Sequence, residues 1–121
     1  MEKKTYYKYL FIVAAIWNWV AGILFIAAGL GEPVSLLQSL YVGLGNTILL
    51  VGIGFFFVSR DVKKNNGIVL MGIIGKFIAF ISVLIYFSLE VGDITTIIAG
   101  TIDLIFALLF IEFLKGIERL E

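Results

Sequence analysis

Four apolar windows, each about 20 residues long, occupy residues 10–30, 36–58, 67–87 and 94–114. At about 1.5 Å of rise per residue, a helix of that length matches a hydrocarbon core roughly 30 Å thick. The chain is therefore expected to be an integral membrane protein. Composition agrees, because 61% of its 121 residues are hydrophobic and only 15% are charged, far from the usage of a soluble domain. A transmembrane β-barrel would alternate apolar and polar residues over about ten positions. Residues 48–58 instead contain only apolar residues and glycine, which suits a helix surrounded by lipid and other helices.

The basic residues lie at three places outside the windows. Lys3, Lys4 and Lys8 precede the first, Arg60, Lys63 and Lys64 follow the second, and Lys115 and Arg119 follow the fourth. The connections around Glu32 and around residues 90–93 contain no Lys or Arg. By the positive-inside bias, both termini and the middle connection are expected on the cytoplasmic side of the cell membrane. Lys3 and Lys4 ahead of an apolar run that ends in Ala27, Ala28 and Gly29 also have the flavour of a cleavable leader. That run is longer than the usual apolar region of a leader, so the first window is read as a retained span.

Connections are short. Gly31, Glu32 and Pro33 are expected to turn the chain outside, with Ser35 capping the second helix; residues 63–67 turn it inside, with Asn65 or Asn66 before the third; Gly92 and Asp93 turn it outside again, with Asp93 capping the fourth. Short connections place each helix antiparallel to the one before it. The expected fold is all-α, a single domain over residues 1–121, built as an up-down-up-down bundle of four transmembrane helices.

Polar residues within the windows are few, and their depths agree. Counted from the cytoplasmic ends, Asn18, Lys76, Asp103 and Asn46 are about 8, 9, 11 and 12 residues in, a spread of about 6 Å. Small residues share their helical faces: Ala14, Ala21 and Gly22 with Asn18, Gly43 with Asn46, Gly72 and Ala79 with Lys76, and Thr96, Ala99, Gly100 and Ala107 with Asp103. Small residues let membrane helices approach closely, so these faces are expected to look inward. The spacing also hints at a duplicated hairpin, since 28 positions separate Asn18 from Asn46 and 27 separate Lys76 from Asp103.

A charge at the bilayer centre costs about 2.5–3.5 kcal/mol on insertion scales, so it normally faces the protein interior and finds a partner. Lys76 and Asp103 thus read in two ways. They are a ligand or ion site, with Lys76 as anion partner and Asp103 as counter-charge, or a structural pair that fixes helix packing, with Asn18 and Asn46 as interhelical hydrogen-bond donors. Trp17 and Trp19 are too deep for an interfacial belt; either one walls the site, or both fill space. Tyr6, Tyr7 and Tyr9 are placed to anchor the chain at the interface. Glycines 43, 45, 52 and 54 fall on more than one face of the second helix, and the surplus face, at Gly52 and Gly54, is a candidate contact for a second copy or a partner membrane protein.

With no cysteine and no histidine, the chain itself offers no disulfide, thiol redox centre, His-ligated haem or His/Cys metal site. No cofactor and no nucleic-acid partner are expected. No nucleophile elbow, zinc-binding helix motif or phosphate-binding loop occurs, and no two carboxylates share a depth in different helices, so no catalytic residues are assigned.

A glycine-rich second helix ending in Val58-Ser59-Arg60-Asp61, a third with Gly72-Ile73-Ile74-Gly75-Lys76, and a fourth carrying Ile102-Asp103-Leu104-Ile105-Phe106 together resemble the small four-helix DoxX-like membrane proteins. That resemblance implies a four-helix bundle and a group whose better-known relatives are small subunits or assembly partners of quinone-linked membrane oxidoreductases. The small multidrug transporters are similar in size, but they carry an essential Glu in helix one where this chain has Trp17-Asn18-Trp19. Two functions follow. The first is binding or transport of a small amphiphile, quinone-like molecule, anion or ion at Asn18, Asn46, Lys76, Asp103 and Trp17. The second is a non-catalytic accessory subunit, homo-oligomeric or docked on another membrane protein.

Overall fold

The computed structural model describes residues 2–31, 35–90 and 92–119 and folds them into four helices, α1 (Lys3–Gly29), α2 (Leu36–Arg60), α3 (Asn66–Ser88) and α4 (Ile94–Glu118). There is no strand among the described residues. All four helices are long and apolar enough to cross a membrane, which marks the chain as a membrane protein. The chain divides into two compact units, Met1–Lys64 and Asn65–Glu121. Each is a helical hairpin.

In the first unit the contacts between α1 and α2 run in opposite order along the two helices: Phe11 meets Phe55, Asn18 and Trp19 meet Gly52, Gly22 meets Gly45, and Gly29 meets Gln38 and Val42. The helices are antiparallel, and glycine sets their separation. A Cβ on Gly45 would lie 2.6 Å from the Gly22 carbonyl oxygen, and one on Gly29 would lie 2.5 Å from that of Gln38. Backbone therefore touches backbone, the arrangement small residues make possible where lipid removes the hydrophobic drive for helices to associate. A Cβ on Gly52 would lie 2.7 Å from the Trp19 ring, and that ring in turn packs on Phe56 with centroids 6.1 Å apart.

Gly52 is thus not on the surplus face expected for it; it is the seat of the Trp19 indole. The open glycines are Gly43, Gly67 and Gly75, where an added Cβ would find nothing within 4 Å. Gly43 and Asn46 are both exposed, so their face of α2 is not the one that meets α1. The reason is angular. Neighbouring helical positions are about 100° apart, and the buried stripe of α2 runs through Gly45, Gly52, Phe55, Val58 and Ser59.

In the second unit, Lys76 meets Asp103 and Val83 meets Gly100, again in antiparallel order. A Cβ on Gly100 would come within 2.9 Å of a Val83 methyl, a close approach of side chain to backbone. Buried positions are Val69, Gly72, Ile73 and Lys76 on α3, and Gly100, Phe106, Ala107, Phe110, Phe113 and Ile117 on α4. The other faces expose large apolar residues such as Ile74, Ile78, Ile81 and Ile98, which suits lipid rather than water.

Helix ends follow local chemistry. The Ser35 hydroxyl accepts the Gln38 N–H at 3.2 Å and the Asp93 carboxylate accepts the Thr96 N–H at 3.0 Å, each satisfying a donor that has no partner within the helix. The Thr96 hydroxyl also donates to the Asp93 carboxylate, at 3.0 Å, and the two bonds from Thr96 lower the Asp93 pKa, the backbone one being the larger cause. Asn65 occupies the cap position of α3 without a side-chain cap bond. Glu32 and Pro33 of the first expected turn lie outside the described residues. α1 begins at Lys3 rather than near residue 10: no residue in the stretch from Lys3 to Tyr9 breaks a helix, and Tyr7, Leu10, Phe11 and Ala14 continue one buried stripe.

Candidate functional site

Hydroxyl groups within the spans satisfy themselves. Thr47, Ser82 and Thr101 each donate to the carbonyl four residues earlier, at 3.0, 2.9 and 2.8 Å, so none needs a partner from another helix. Near mid-helix, Asn18, Asn46, Lys76 and Asp103 are the polar groups that the helices must position; Glu112, with Oε2 buried, lies further along α4.

Lys76 lies near the middle of α3 and Asp103 near the middle of α4. Antiparallel packing brings them level, with Lys76 Nζ donating to Asp103 Oδ1 at 2.8 Å. The ammonium also lies 5.1 Å from the centroid of Phe106, one turn along α4 from Asp103. A cation over an aromatic face gains about 0.5–2 kcal/mol, more as water is excluded. The two partners are sheltered unequally: the Lys76 side chain is 8% exposed and that of Asp103 is 21% exposed. Lysine at membrane depth can extend its stem toward the interface; here the charged end is instead held at mid-helix, where burial makes a charge-assisted hydrogen bond strong and its loss costly.

Asn18 is buried at 7% exposure. Its Nδ2 donates to the Ile48 carbonyl at 3.2 Å, so the interhelical bond expected of it exists, but its acceptor is helix backbone rather than Asn46. Asn46 is exposed on α2, outside the packing face of its hairpin. Trp17 is half-buried; of the two tryptophans it is Trp19 that packs on α2. Within each hairpin, then, the residues brought together are Lys76 with Asp103, and Asn18 with the backbone of α2.

One cluster went unread in the sequence. The hairpin joins Lys8 and Arg60, with Lys4 and Ser59, around one cleft. The available signal was the antiparallel pairing itself, which puts the start of the first helix beside the end of the second. Among the described residues, no group of three or more His, Cys, Asp or Glu is placed to hold a metal ion.

Compared with models of known protein families, with curated proteins and with solved structures, the chain matches none. The fold and site define a class, a small membrane protein of four apolar helices in two hairpins, one of which carries a mid-helix ion pair.

Proposed function

We propose that this is a multi-pass protein of the cell membrane, with helices in up-down-up-down order and both termini cytoplasmic, which binds or passes a small amphiphile, anion or ion at the Lys76–Asp103 pair. The observation that carries this reading is the 2.8 Å contact between two opposite charges in the middle of helices of spanning length. Ionisable groups at that depth are expensive and typically mark ligand or ion paths. An anionic headgroup would take the place of Asp103 at Nζ, and a cation would take the place of Lys76 at the carboxylate. The greater exposure of Asp103 favours entry from the carboxylate side. No chemical step is assigned to the chain.

A second reading has its own support. The pair is closed within a single hairpin, as a structural lock would be, and α2 exposes Gly43 and Asn46 on one face. These fit an accessory subunit, with that face set against a second copy or a partner membrane protein. This is the role that the DoxX-like resemblance implies.

Native mass spectrometry from mild detergent separates the two. In wild type, the first reading expects a co-purifying lipid, quinone-like molecule or anion that disappears in a folded Lys76→Met, Asp103→Leu variant. An empty wild type, with the same subunit number in both proteins, supports the accessory reading.

A further inference from the structure

At the end of the first hairpin where α1 begins and α2 finishes, a cleft of about 530 Å³ opens between Lys4, Thr5 and Lys8 on one side and Ser59, Arg60 and Asp61 on the other. Its size is that of a small-molecule site, about 300–1,000 Å³. Its charge is lopsided. Lys4, Lys8 and Arg60 form no ion pair among the described residues. The carboxylate of Asp61, which also lines the cleft, lies 3.7 Å from Lys64 Nζ and accepts the Lys63 N–H at 3.3 Å, so the lining carries three positive charges against one negative. The Ser59 hydroxyl donates to the Phe56 carbonyl, which leaves recognition to the charges.

The backbone adds to the same field. α1 begins without a side-chain cap and without an acidic residue in its first turn, so its unpaired N–H groups and the positive end of its dipole sit at this end of the hairpin. The opposing end of α2 is muted by Arg60 in its last turn, and the Phe57 carbonyl already accepts the Asp61 N–H at 3.3 Å. Three cations and the start of α1 therefore meet one carboxylate, Asp61, in the cleft lining, with Glu2 at the α1 cap position outside it.

Depth identifies the occupant. The apolar run of α1 starts at Leu10 and that of α2 ends at Val58, one step inward of the cleft. Tyr6 and Tyr9 are exposed beside it, where aromatic residues mark the boundary between hydrocarbon and water. Directly inward, α1 exposes Val13, Ile16 and Val20, a surface along which acyl chains can lie. We propose that the cleft binds the phosphate of an anionic phospholipid headgroup, held by Lys4, Lys8 and Arg60 with the lipid tails along the exposed face of α1. Basic pockets at the membrane surface commonly recognise lipid headgroups in this way.

The test compares retention of phosphatidylglycerol and phosphatidylcholine by native mass spectrometry on protein from mixed micelles. Lys8→Gln with Arg60→Gln removes two charges from the cleft, and Lys3→Gln with Lys63→Gln removes two charges beside it. Wild type is expected to retain phosphatidylglycerol over phosphatidylcholine. The cleft variant should lose that preference by about tenfold or more, each cationic contact being a substantial share of such binding, and the neighbouring variant should change it less than about twofold. Equal losses in both variants, or equal retention of the two lipids by wild type, overturn the proposal. Displacement of the lipid by millimolar inorganic phosphate or glycerol phosphate also overturns it, because the site would then serve a soluble anion. Circular dichroism checks that the variants keep their helices. If the cleft variant unfolds, the thermal midpoint of wild type still decides: phosphatidylglycerol must raise it more than phosphatidylcholine, and equal midpoints refute the site.

Discussion

The two hairpins are held together by different physics. α1 and α2 meet backbone to backbone at Gly22, Gly29 and Gly45, with one neutral hydrogen bond from Asn18. α3 and α4 meet closely at Gly100 and through a charge pair whose lysine is buried. Close packing gains dispersion without desolvating anything. A buried ion pair must first recover the cost of stripping water from both charges, and an apolar pair of similar volume is often as stable or more so. Stability alone gives the second hairpin no reason to carry Lys76 and Asp103, which is why the charge, rather than the glycine seam, is the place to look for function.

The largest expected effect tests that contrast directly. Lys76→Met removes the ammonium that donates to Asp103 and should cost about 3–5 kcal/mol of stability, whereas Lys76→Met combined with Asp103→Leu should recover most of the loss. Unfolding in mixed micelles followed by circular dichroism measures both. In the first hairpin the comparable injury is steric: Gly45→Val forces the helices apart at the Gly22 carbonyl and should cost at least about 1–3 kcal/mol, with no rescue by any change of charge. Asn18→Leu removes the bond to the Ile48 carbonyl and should cost about 0.6 kcal/mol, at most about 1.7, in the same unfolding measurement. Gly43→Ala and Gly75→Ala meet open space and should lie within about 0.5 kcal/mol of wild type; a large loss at Gly43 in particular would reveal a partner on that face.

The smallest effect is a pH dependence outside the membrane. Bonds from Thr96 lower the Asp93 pKa, so the folded value lies below the unfolded one. The cap contributes fully above the unfolded value and is lost as pH falls through the folded one. Hydrogen exchange in the first turn of α4 should therefore speed up in acid relative to wild type at neutral pH, once intrinsic rates are corrected. Asp93→Asn, a good cap that does not titrate, should abolish that dependence.

Much of this was legible in the residues. Helix number and type, the capping roles of Ser35 and Asp93, and the mid-span depth of Lys76 and Asp103 follow from apolar run length, side-chain chemistry and rise per residue. Rotation about the helix axis was the weaker inference. Glycine lies on several faces of α2, so the residues alone do not say which of them meets α1; the hairpin uses the face of Gly45 and Gly52, and a step of one residue, about 100°, separates it from that of Asn46. The start of α1 was hidden for a different reason. Lys4, Lys8 and the tyrosines lower hydropathy without disfavouring helix, so an apolar window stops where the helix does not. The cleft beside Lys8 was invisible because it joins residues more than fifty positions apart in sequence.

The central claim, that Lys76 and Asp103 form a site rather than only a lock, is tested most directly by one double-mutant cycle read in two ways. Wild type, Lys76→Met, Asp103→Leu and the double variant are each measured for unfolding free energy and for the small molecule or ion retained in native mass spectrometry. The account predicts a strongly non-additive stability cycle, in which the double variant is restored, together with loss of the retained species in all three variants. A restored double variant that keeps the bound species, or a wild type with nothing to lose, would contradict it.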